Sequence, residues 1–387
     1  MSQPAEQCDV AVVGAGPAGA TMALLLVQAG WSVTLLERAR FPRDKLCGEF
    51  ISAEGVAALA EMGLGQWLLR TCPKIDRVQV RARRGALWRE RLPQPALGCS
   101  RAALDHQLLQ HCRVAGVDVR EGVRVTAVDD FDLSQPTVAA PASARAAVKL
   151  DSGTQLECRL VVFACGRQSA LLRDSVERRF DANVDNGGMV GLKVHARATE
   201  RHSAVELHAF DGGYIGLAPV EGERVNLCAL LKSETLRRVG KDPQRLGDEV
   251  MADNRMLATR LEQLQPDWSQ ALAVANLRFG PVPVSGRWCL GDSVGAIAPL
   301  CGDGISMAVR TSQVAAPLVD RYLHGALSVA QALDSYRRQW QREFGLRIRL
   351  GNQLQSLLMN EVAGALSLRS LQYLPLLGRW VITQTRG

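Results

Sequence analysis

Aromatic residues make up only 5% of the 387 positions, and no dense lysine or arginine run carries them interleaved. Nucleic-acid binding is therefore not expected. A formal charge of +7 leaves attraction to an anionic cofactor, substrate or membrane surface open. The chain also lacks any CxxC pair and any Cys/His cluster with zinc spacing, so no metal site is expected. Its ten cysteines (8, 47, 72, 99, 112, 158, 165, 228, 289 and 301) read instead as scattered thiols, mostly small core fillers. No apolar run is long enough to cross a bilayer. The start, MSQPAEQCDV, has no basic-then-apolar segment, which predicts a cytoplasmic protein with reduced cysteines. Thirty-five glycines and 16 prolines are too few for a fibrous chain, and 47% hydrophobic residues exclude disorder. What remains is a globular protein longer than one ordinary domain.

Val10 to Val13 is a short valine-rich run between Asp9 and Gly14, the pattern of a buried parallel strand. Ala18 to Gln28 has helical composition and stops at Gly30, and Ser32 to Leu36 reads as a second strand. Strand, helix and strand form a βαβ unit. Residues 53–70 and 102–114 read as helices, and 74–92 as exposed antiparallel strands. Residues 117–128 and 160–164 read as strands, and 135–147 as a surface loop. Residues 180–280 are strand-rich with an amphipathic stretch near 244–265. Trp288 to Leu290 reads as a returning strand, and 304–318 and 328–358 as helices. No internal repeat is visible.

Gly14-Ala15-Gly16-Pro17-Ala18-Gly19 lies between the first strand and helix. In this pattern the first glycine permits the tight turn, the second lets backbone approach a pyrophosphate, and the third allows close helix–strand contact. The helix N-terminus adds aligned N–H donors. Glu37, at the end of the second strand, is placed to accept hydrogen bonds from a ribose diol. The set predicts a dinucleotide site.

Far along the chain, Gly291-Asp292 follows a strand, and Pro299-Leu300-Cys301-Gly302-Asp303-Gly304-Ile305 opens a helix. With these segments the chain resembles the FAD-dependent oxidoreductases of the p-hydroxybenzoate hydroxylase and geranylgeranyl reductase superfamily. The resemblance implies an α/β fold: a Rossmann-like FAD-binding domain, an inserted β-sheet substrate domain and a C-terminal helical region. The corresponding divisions are 1–75, 101–175 and 284–325 for FAD, 76–100 and 176–283 for substrate, and 326–387 for the terminal helices. It further implies that Asp292 binds the ribityl chain and that Gly302 and Gly304 bring N–H groups to the flavin. Ser100-Arg101-Ala102-Ala103-Leu104-Asp105 resembles the family's SRxxLD stretch, whose arginine contacts FAD. Arg38 resembles a basic residue beside the adenosine, or is an ordinary surface charge. Val125 lies where the family touches adenine with backbone.

Phe41 to Glu49 is similar to the cysteine-glycine segment of geranylgeranyl-reductase-like flavoproteins, which passes near the isoalloxazine. Cys47 is then either a redox-active or proton-donating thiol beside Lys45, or a packing cysteine. Lys45 also falls near the lysine of related flavin halogenases, but their WxWxIP signature is absent. Tyr214-Ile215-Gly216-Leu217-Ala218-Pro219 resembles the reductases' YxWxFP stretch. Tyr214 is either functional or a core tyrosine, and the small Gly216 and Ala218 are expected to open volume near the flavin. Cys165 stands where hydroxylases carry an aspartate associated with flavin and NADPH. The electron donor expected is therefore NAD(P)H, a separate reductase or a reduced carrier protein.

Two enzyme readings result, with a monooxygenase of a hydrophobic or aromatic molecule ahead of a reductase or dehydrogenase of a lipophilic one. The substrate is free or carrier-bound. An electron-transfer flavoprotein without a small substrate is a third reading. Residues 366–381, apolar with Arg369 and Arg379 interspersed, are expected to pack on the core, cap a tunnel or rest on a membrane. Pro375 divides them.

Overall fold

The computed structural model describes residues 6–83, 85–129, 145–167, 169–172, 188–198, 202–240, 242–282 and 286–386. Most of the surface loop expected at 135–147 lies outside the described residues.

The valine-rich start forms β1 (Glu6–Val13), and α1 (Pro17–Gln28) crosses over to β2 (Val33–Glu37). β1 pairs in parallel with β2 on one side and with β9 (Gln155–Phe163) on the other. β6 (Asp118–Glu121) extends the sheet beyond β2. β7 (Val125–Asp129) and β8 (Ala146–Leu150) add an antiparallel margin beside β9. The returning segment, β16 (Trp288–Cys289), pairs with β9 in parallel. Val10, Val12, Leu35 and Val162 are fully buried, as expected for strands covered on both faces.

The second sheet has eight strands. Its centre is β10 (Met189–Arg197), β11 (Ala204–Phe210), β12 (Gly213–Val220) and β13 (Arg224–Lys232), with β14 (Leu272–Leu277) at one edge. The other edge comes from the N-terminal third: β3 (Phe50–Ile51), β4 (Lys74–Arg81) and β5 (Leu87–Gly98). The last two pair antiparallel as expected and expose Lys74, Arg77, Arg89 and Arg91, but only one face is open to solvent: Ile75, Val78 and Trp88 are buried, and terminal helices Glu361–Tyr373 and Pro375–Arg386 pack on β5.

Two expected helices are divided. Residues 53–70 form α2 (Ala53–Glu61) and α3 (Gly65–Thr71), parted at Gly63, whose φ of 89° leaves the helical region. The 244–265 stretch forms Pro243–Asp253 and Arg255–Leu264, the second capped when Asn254 Oδ1 accepts from Leu257 N. α4 (Arg101–Val114) starts with Ser100 Oγ accepting from Ala103 N. Gly304–Leu323 packs along α1, where Ser312 Oγ donates to Ala18 O at 2.7 Å. The 31-residue helix Val329–Met359 then spans both sheets. No helix among the described residues is long and apolar enough to cross a membrane.

Candidate functional site

Segments from widely separated parts of the sequence meet at one cavity between the sheets. It encloses about 1130 Å³ of empty space, its open mouth included. Gly16, Pro17 and Ala18 form one wall, and residues 45–50 and Arg101 the next. Gly166, Arg167, Gly291 and Asp292 follow, then Pro299, Gly302, Gly304 and Ile305. The second sheet closes the cavity with Gly191, Tyr214, Cys228, Leu230 and Leu277.

The three motif glycines differ in what they face. A Cβ on Gly14, whose φ is 104°, would lie 2.5 Å from Ala164 O, and one on Gly19 would lie 1.8 Å from Gly14 O. Both are fixed by backbone contact within the fold. A Cβ on Gly16 meets nothing nearer than Arg101 Nη2 at 3.6 Å and Lys45 Nζ at 4.0 Å, so it would project into the cavity. Gly16 is the N-cap of α1, without a side-chain cap, and Pro17 follows. The unpaired N–H groups of that first turn therefore stand at the cavity wall. The N-terminus of Gly304–Leu323, which has no side-chain cap, reaches the same cavity, whereas that of α4 is closed by Ser100 Oγ and Glu49. Two positive helix ends facing one space suit an anion.

Two cations reinforce this. Arg101 is buried, and Asp105 holds it with two hydrogen bonds of 2.9 and 2.6 Å. Burial alone would lower its pKa, but the Asp105 carboxylate more than offsets this and keeps the guanidinium charged. Lys45 has no carboxylate within ion-pair distance among the described residues. Burial and then the Arg101 charge push its pKa below the ordinary lysine value. A diphosphate over Gly16 would supply the missing countercharge. On the opposite wall Arg167 Nε and Nη2 donate to Asp292 Oδ2 at 3.1 and 2.7 Å. Burial would raise the Asp292 pKa, yet Arg167 holds it below the usual carboxylate value, ready to accept from a polyol. These donors and acceptors fit FAD.

Glu37, Arg38 and Val125 lie outside this cavity, beyond the glycine turn. Glu37 is buried and accepts from Ala15 N and Ala39 N, both at 3.0 Å. Val123 N, just before β7, donates to the main-chain carbonyl of Glu37 at 2.9 Å. Val125 itself belongs to the core, and Arg38 is exposed.

Cys47 lines the cavity half-buried. Its Sγ accepts from Glu49 N at 3.3 Å, and its carbonyl accepts from Asn226 Nδ2 at 2.9 Å. The Tyr214 ring lines the cavity too, but its hydroxyl donates to Gln355 Oε1 at 3.1 Å, on the long helix. Burial pushes that phenol well above its ordinary value, so the tyrosine is a wall residue with a committed proton. Gly216 and Ala218 do not line the cavity. A Cβ on Gly216 would meet Leu207 at 3.3 Å, so the absent aromatics open no volume there, contrary to expectation. Cys165 packs beside Ser293, the residue after Asp292: its Sγ lies 3.9 Å from Ser293 Oγ, and burial raises its pKa.

The sequence reading missed a buried ionic cluster beneath Cys47. Glu49, fully buried with φ of 57°, accepts from Arg101 N at 2.8 Å, Lys193 Nζ at 2.5 Å and His195 Nε2 at 2.6 Å. Lys193 also donates to Asp44 at 2.9 Å. Burial would lower the Lys193 pKa, but Glu49 and Asp44 raise it on balance. Asp44, Glu49 and His195 lie within 4.8 Å of one another, and the Lys193 ammonium supplies the positive charge among them. The cluster fastens the Cys47 loop of the first lobe to β10 of the second. Its signal in the sequence was Lys193 and His195 at alternate positions of a strand that is apolar from Met189 to Leu192.

A parallel sheet with its glycine turn, joined to an antiparallel sheet across a cationic cavity, defines a protein that carries a flavin adenine dinucleotide. The chain belongs to the family described as FAD binding domain, which matches residues 7–343, and it is an FAD-dependent oxidoreductase. It is 28% identical over 340 residues to a menaquinone reductase of Mycobacterium tuberculosis, covering 81% of this chain and 77% of that one. It is 26% identical over 357 residues to digeranylgeranylglycerophospholipid reductase 2 of Methanopyrus kandleri, covering 87% and 83%. The fold superposes on the flavin-dependent brominase Bmp2 with a TM-score of 0.77 at 18% identity, over 97% of this chain and 92% of the brominase. The expected α/β fold with its inserted sheet and terminal helices is thus the observed one.

Proposed function

We propose that this oxidoreductase reduces a conjugated carbon–carbon or quinone double bond in a lipophilic, isoprenoid-bearing molecule. The observation that carries the reading is Cys47: a thiol on the cavity wall, held by Glu49 N, in a cavity whose lining includes the apolar Leu46, Phe50, Leu230 and Leu277. The similarity to enzymes named for menaquinone and for a geranylgeranyl lipid supports the same reading. It reverses the order of the two enzyme readings drawn from sequence alone.

Lys45, Arg101 and the first turn of α1 would hold the FAD diphosphate, Asp292 the ribityl chain, and Glu37 the adenosine ribose. Bound FAD, once reduced by the electron donor, would supply a hydride equivalent to one end of the double bond. The chain supplies the proton. Cys47 donates it to the other end, and the apolar lining keeps water from intercepting the transfer. The thiol then regains a proton from solvent. NAD(P)H or a reduced carrier protein restores the reducing equivalents.

Anaerobic mixing of the reduced holoprotein with a short-chain menaquinone or an α,β-unsaturated polyprenyl carbonyl compound tests this. Flavin reoxidation is expected without oxygen, and Cys47→Ala should slow it roughly 100-fold while leaving FAD affinity within about twofold. An oxygenated product formed only in air would replace this reading with the monooxygenase.

A further inference from the structure

The last two helices bury one face and leave the other bare. Inward, Leu368 and Ile382 join the core of the second sheet, and Gly378 lies against Trp88, where a Cβ would meet the indole at 2.8 Å. Outward, at helical spacing, stand Val362, Leu366 and Tyr373, then Leu374, Leu376 and Trp380. Tyr373 is 84% exposed and Leu376 81%. An apolar face this continuous, on helices that are firmly packed, marks an interaction surface.

The composition selects its partner. From Val362 to Thr385 the sequence contains Arg369 and Arg379 and no acidic residue; both arginines are exposed, and Arg379 reaches Glu90 of β5 at 3.6 Å. Two copies meeting through this face would oppose arginine to arginine, since a two-fold contact pairs the patch with itself. Anionic lipid headgroups complement the same charges, and Tyr373 and Trp380 have the amphipathic rings suited to the headgroup level. On their buried side the helices share a core with the cavity wall, where Leu368 and Ile382 cluster with Phe50, Tyr214 and Leu277. The helix that exposes Leu357 provides Gln355, two residues earlier, to Tyr214 in the cavity wall.

We infer that helices Glu361–Tyr373 and Pro375–Arg386 form a docking surface for an anionic lipid bilayer and lie in its interface. The inference deepens the lipophilic-substrate reading, but its test needs no substrate. Full-length holoprotein is floated with phosphatidylcholine vesicles, with and without one-third phosphatidylglycerol. The wild type should float with the anionic vesicles and be released by salt. The double variant Leu376→Glu/Trp380→Glu should float at least tenfold less, while keeping its flavin absorbance and melting temperature. Arg369→Glu should weaken binding to anionic vesicles alone. The inference is overturned if the wild type stays in solution with both vesicle types, or if the double variant floats as well as the wild type. It is equally overturned if that variant only converts a dimer into a monomer. Vesicle binding without flavin reoxidation by a short-chain quinone would count against the proposed reaction and leave the docking surface standing.

Discussion

Gly14, Gly16 and Gly19 sit within six residues and bear different loads. The first and third are hemmed in by backbone at 2.5 and 1.8 Å, whereas the second opens onto the cavity between Lys45 and Arg101. Gly19→Ala should therefore destabilise the apoprotein by ~2 kcal/mol or more, because backbone must shift to admit the methyl. Gly16→Ala should leave apoprotein melting nearly unchanged and weaken FAD binding at least tenfold. Thermal unfolding and flavin titration of both variants separate the roles, and equal effects on melting would contradict them. This glycine turn was readable because its demands are backbone demands, met locally by one residue type. The Glu49 cluster was not. Its partners Lys193 and His195 lie 144 and 146 positions away, and nothing local announces which buried charge meets which. Tyr214 was readable as a wall residue, but the partner of its hydroxyl was not, since Gln355 comes 141 residues later.

Among the elements, Gly304–Leu323 carries an unusual cap. Asp303 precedes it, fully buried, yet turns its carboxylate to Ser52 Oγ at 3.1 Å and Arg347 Nη1 at 3.3 Å. Burial, with Glu54 adding to it, raises the Asp303 pKa to about 7 even though Arg347 opposes the shift. A carboxyl whose folded pKa exceeds its unfolded one retains a proton on folding. Its stabilisation is complete below the unfolded value and is lost as pH rises toward about 7. Relative to Asp303→Asn, the wild type should lose up to ~1.4 kcal/mol per pH unit across that window and run parallel above it. Urea unfolding at a series of pH values reads the difference, and parallel curves throughout would refute it. Helix and strand positions were largely legible from periodicity, and Pro375 begins the final helix where the sequence required a break. The divisions at Gly63 and Asn254 were not anticipated, because an amphipathic pattern continues across both while the backbone does not. The burial of one face of β4 and β5 was also missed, since the cover of β5 comes from helices nearly 300 residues later.

Across the whole molecule, one sheet presents the dinucleotide and the other presents the apolar wall, with Glu49, Lys193 and Asp44 tying them together at Cys47. Motifs at opposite ends of the sequence converge because β16 returns to β9 and places Asp292 near the glycine turn. That order of motifs was legible, as was the inserted sheet. The chemistry of the apolar compartment depends on side chains from β10, β12, β13 and β14 that no short motif names. The central claim is that one FAD spans from Glu37, past Lys45 and Arg101, to Asp292. Titration of the apoprotein with FAD and, separately, with FMN tests it most directly. FAD should bind at one per chain and at least tenfold (~1.4 kcal/mol) tighter than FMN, which cannot reach Glu37. Equal affinity for the two flavins, or no binding of either, would contradict the account.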